Sequence, residues 1–75
     1  MSRSEFVMIL FNGIMDCYKI EIKMAKMAKL PEMANEYQRQ MNEFLGFDFK
    51  NINITLLSKL HDKHILSIRI LNELI

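Results

Sequence analysis

The sequence predicts an all-α fold: three helices built on an antiparallel helical hairpin and completed by self-association. Apolar residues recur at helical spacing through most of the chain. Pro31 and Gly46 stand where a helix start and a helix end would put them. The 75 residues are 51% apolar, and a chain this short has too little interior to bury them all.

The clearest element lies between Pro31 and Gly46. Met33, Ala34, Tyr37, Met41, Phe44 and Leu45 fall on one face at about 100° per residue. Glu32, Asn35, Glu36, Arg39, Asn42 and Glu43 fall on the other. A proline at the first helical position costs no hydrogen bond, because that N–H has no partner in any helix.

A first helix is expected over about 4–29, with Ser4 as its cap. Asn12, Asp16, Lys19, Lys23 and Lys26 form one polar stripe. Phe6, Leu10, Ile14, Cys17, Ile20, Met24 and Met27 belong to an apolar arc wide enough to touch more than one neighbour. Tyr18, Ile20, Ile22 and Met24 also alternate with polar residues, the period of a strand. The competing reading pairs 18–24 with 51–56 as strands. The longer helical stripe favours the helix.

Phe47–Asn53 reads as a connection, with Phe47 and Phe49 pinned on the core and Asn51 or Asn53 capping the third helix. That helix is expected over about 54–75. Leu57, Leu60, Ile68, Leu71, Leu74 and Ile75 share its inner face, while Leu66 and Ile70 lie toward its outer side. A tight turn at Leu30–Pro31 joins the first two helices. The whole chain, 1–75, forms one small domain.

Function is less legible than fold. Ten basic and nine acidic residues give a net charge of +1, which excludes a strong overall drive toward nucleic acid or anionic lipid. Cys17, the only cysteine, allows no internal disulfide and suits a reducing compartment. Phe6–Met15 is too short to span a bilayer and no cleavage site comes after it, so a cytoplasmic, soluble chain is expected. Abundant Ile, Lys, Asn and Met suggest an A/T-rich genome, such as that of a phage or another mobile element.

No catalytic triad, phosphate loop or dinucleotide fingerprint occurs, so no enzyme, cofactor or small-molecule substrate is expected. His61 and His64, with Asp62 between them, have a spacing that can share a metal. Nothing in the sequence brings Cys17 or Asp48 to them, and no metal is expected. Lys19, Lys23 and Lys26 make a ridge able to neutralise phosphates, the basis of an alternative reading as a small nucleic-acid-binding regulator. Asp16 and Glu21 dilute its field, and no aromatic stacking platform accompanies it.

The ending ILNELI and the earlier QRQMNEF resemble stretches of the small helical-hairpin phosphatases that act on sporulation response regulators. The S-Q-x-L-D core of that family is absent. Ile68, Arg69, Ile70, Leu71 and Asn72 stand in its place without its glutamine and aspartate, and the intervening loop is too long. The chain is not assigned to that family.

The preferred reading is a small non-enzymatic interaction module, binding itself, a larger protein target, or both. Met8, Phe11, Met15, Leu66, Ile70, Leu74 and Ile75 are its candidate interface. All seven methionines lie within the first 41 residues, where flexible side chains suit either an irregular core or an adaptable surface. Met24 and Met33 are expected in the core. Two residues break the apolar pattern: Glu21 within the arc of the first helix and His64 within the inner face of the third. Either each reaches water at a boundary, or they pair across the core or across a dimer interface.

Overall fold

The computed structural model describes residues 2–48 and 52–75. Three helices succeed one another: α1 (Arg3–Met27), α2 (Pro31–Leu45) and α3 (Ile54–Glu73). No strand occurs among the described residues. Over 18–24 the helical period prevails over the alternating one. Tyr18, Glu21 and Ala25 turn inward, while Lys19 and Lys23 face water.

The helix ends are set by local chemistry. Ser2, not Ser4, caps α1, its hydroxyl accepting from the Glu5 N–H. The helix also stops at Met27, two residues short of expectation. The Leu30 N–H donates to the Ala25 carbonyl and the Lys29 N–H to the Lys26 carbonyl. This is the paired closure of a Schellman motif. It requires a left-handed residue, and Lys29 takes that position with φ 60° where glycine is usual. The turn therefore lies before Leu30–Pro31, and Pro31 opens α2.

Asn53 caps α3, its side-chain oxygen accepting from the N–H groups of Thr55 and Leu56. The helix ends at Glu73 rather than Ile75. Replacing Asn53 with Ala is expected to cost about 1 kcal/mol, read as a lower urea midpoint. The expected positions of Phe49 and Asn51 lie outside the described residues.

Each helix buries a narrow seam of three-and-four spacing. On α1 it runs Val7, Phe11, Ile14, Tyr18, Glu21, Ala25. On α2 it runs Ala34, Tyr37, Met41, Phe44, and on α3 Leu57, Leu60, His64, Leu71. This is the spacing of helices packed at a shallow angle. α1 packs against both α2 and α3.

Phe44, near the end of α2, reaches back to Phe11 and Tyr18 of α1. Arg3, at the start of α1, donates to the Ile52 carbonyl just before α3, and farther along Glu21 meets His64. So α2 folds back along α1, and α3 runs in the same sense as α1. At Gly13 the absent side chain leaves room for His61, which a Cβ would meet at 3.0 Å.

The narrowness of these seams corrects several expectations. Met33, Leu45 and Phe47 are exposed rather than core residues, and so are Phe6, Ile20 and Met27. Their apolar arcs are wider than the contact that two flanking helices supply. The core proper is Val7, Ile14, Tyr18, Phe44 and Leu57, with Leu10, Phe11, Met15, Met41, Ile52, Ile54 and Leu60 packed against it.

Candidate functional site

The most unusual chemistry in the molecule lies inside it. Glu21 and His64 occupy core positions in the seams of α1 and α3, and their side chains are 0% and 5% exposed. The His64 Nδ1 lies 2.6 Å from the Glu21 Oε1. That is ion-pair distance. None of the four polar atoms of the pair makes a hydrogen bond among the described residues. Each unsatisfied buried group costs about 1–3 kcal/mol. The pair is thus a burden on the fold unless it confers specificity or binding.

The surroundings are polar on one side and aromatic on the other. The Tyr18 ring meets the His64 ring edge-on, with centroids 4.3 Å apart. A cavity of about 210 Å³ opens beside the pair, lined by Glu21, Tyr37, Gln40, Leu60, Lys63, His64 and Ser67. All three helices contribute to it, and its size and polarity suit ordered water.

Burial first, and the Glu21 charge second, push the Cys17 thiol and the Tyr18 and Tyr37 phenols above their ordinary pKa values. At Tyr37 a Ser67 hydrogen bond pulls the other way. Burial thus disfavours the thiolate, the nucleophilic form of this side chain.

Two further cavities share lining residues with this one. An apolar cavity of about 170 Å³ is lined by Phe44, Phe47, Ile52, Asn53, Leu56, Leu57 and Leu60. A third, of about 160 Å³, lies along α2 between Met33, Glu36, Tyr37 and Gln40. Leu60 lines both the Glu21 cavity and the apolar one, and Tyr37 and Gln40 line both the Glu21 cavity and the third. On the outer face of α2, Arg39 bridges Glu36 and Glu43. Hydrogen bonds from Arg39, then Gln40, hold the Glu36 carboxyl down to about 2, so it stays ionised in mild acid.

The other sequence candidates separate. His61 lies against Gly13, away from the Glu21 pocket, and no group of three or more His, Cys, Asp or Glu able to hold a metal occurs among the described residues. Lys19, Lys23 and Lys26 are all exposed on α1. Met8, Leu66, Ile70, Leu74 and Ile75 are exposed. Phe11 and Met15 instead pack against the core, because Phe11 belongs to the α1 seam and Met15 follows Ile14 at its edge. No helix among the described residues is long and apolar enough to cross a membrane.

The α2–α3 cavities escaped sequence reasoning because they depend on how far apart the two helices stand. Only Glu21 and His64, which break the apolar pattern of their helices, hinted at what lines them. Compared with protein families, curated proteins and solved structures, the chain matches none.

Proposed function

We propose that this chain is a small protein–protein interaction module that works by self-association, with a larger protein target as a further partner. One observation carries the reading. Fourteen large hydrophobic side chains are exposed among the described residues, against nine buried hydrophobic ones. Single exposed apolar residues are ordinary, but this balance leaves more apolar surface for another protein to cover than the core takes up. A non-enzymatic, cytoplasmic role fits the same reading.

The test is light scattering coupled to gel filtration. A dimer is expected at micromolar concentration, with a melting temperature that rises with protein concentration. A folded monomer at high micromolar concentration overturns it. The lysine ridge supports the alternative of nucleic-acid binding. That alternative requires binding that weakens steeply with salt.

A further inference from the structure

We propose that the groove between α2 and α3 receives α3 of a second copy of the chain, in a two-fold dimer centred near Leu66. The inference rests on the self-association reading and assigns its surface and geometry.

The groove is already built. Its floor holds the buried Glu21–His64 pair, and its apolar end is rimmed by the exposed Phe47 and Leu56. An amphipathic helix is the natural occupant of such a groove. The chain carries one with the right pattern. Beside its core seam, α3 bears a second stripe of three-and-four spacing: Leu56, Lys59, Lys63, Leu66 and Ile70, continued by Leu74 just beyond its end. All six are exposed. Leucine and isoleucine there lack a covering surface, and the two lysines call for carboxylates.

Charge and register select the second copy. α2 carries three glutamates against one arginine. Glu32 and Glu36, the latter also bonded to Arg39 of its own helix, are four residues apart on α2, as Lys59 and Lys63 are on α3. The two pairs match when α2 and the incoming α3 run in the same direction. Within one chain α2 and α3 run oppositely: Tyr37 faces Ser67, and Phe44 shares a cavity with Leu57 and Leu60. A two-fold axis reverses α3, so the partner's helix runs parallel to α2. With that axis at Leu66, Glu32 and Glu36 fall beside the second copy's Lys59 and Lys63. The leucine packs on its own counterpart, as a self-complementary interface requires.

Within a single chain, Glu32 lies near the start of α2 and Lys59 near the start of the oppositely running α3, so exchanging their charges can act only between copies. Light scattering and sedimentation equilibrium on the full chain provide the test, with circular dichroism as the control for folding. Leu66→Glu with Ile70→Glu is expected to weaken the dimer by roughly a hundredfold. Glu32→Lys alone and Lys59→Glu alone are each expected to weaken it by about tenfold, and the two together to restore it. The exchange remains decisive if the Leu66 variant fails to fold.

A dimer that ignores both sets but dissociates with Ile9→Glu and Ile20→Glu, on the exposed side of α1, overturns the inference and leaves self-association standing. A parent chain that is monomeric throughout overturns both.

Discussion

Replacing Glu21 with Ala is expected to cost about 3–5 kcal/mol of stability, as large an effect as any single polar substitution in the chain could have. The carboxylate is fully buried and the imidazole beside it nearly so. Removing one leaves the other in a medium that solvates charge poorly, with no hydrogen bond to replace the lost contact. His64→Ala should cost a similar amount for the mirror-image reason. Replacing both with Leu removes the desolvation penalty together with the attraction. That double variant is expected to match the parent or exceed it by about 1–4 kcal/mol.

Urea unfolding of the parent, the two Ala variants and their double Ala combination forms a double-mutant cycle, with the double Leu variant measured beside it. A near-neutral Glu21→Ala would show that the carboxylate reaches water in solution. If the double Leu variant is more stable but loses its dimer, the pair is retained to hold helix register or to keep the groove open, as a single polar residue does in some coiled coils.

The fold was largely legible because its signals are local. Pro31, the Asn53 cap and the three-and-four recurrence of apolar residues act within a few positions, and the helices begin and end near where these place them. Glu21 and His64 stand out for the same reason: each interrupts an apolar stripe on its own helix, so each had to be buried with a partner or be rotated to water. The rotation of α1 was not legible. Its apolar arc continues past the width of any one contact, and only packing decided that Val7, Tyr18 and Ala25 go inside while Phe6, Ile20 and Met27 stay outside. The turn was misplaced because a lysine, not a glycine, holds the left-handed position. The groove has no local signal at all, since it exists only once α2 and α3 both lie on α1.

The second large effect is expected at Phe44, where truncation to Ala should cost about 3–5 kcal/mol. The ring is 3% exposed and lies in the core cluster with Val7, Ile14, Tyr18 and Leu57. It stacks on Phe11 with centroids 5.1 Å apart and meets Tyr18 at 5.8 Å, so one side chain joins two turns of α1 to the end of α2. It also walls the apolar cavity against α3, and its loss would enlarge that void rather than let it collapse. A single core at this chain length supplies only about 3–5 kcal/mol, so the variant should be largely unfolded unless association supports it.

Phe47 is the control. Its ring lies 6.1 Å from Phe44 but is 58% exposed, and truncating it should change stability by less than about 1 kcal/mol. Thermal melts monitored by circular dichroism separate the cases. Equal melting of Phe44→Ala and the parent would place that ring outside the core. A loss at Phe47 that grows with protein concentration would instead mark its ring as part of the dimer contact, because only a residue buried between copies contributes more as the copies associate.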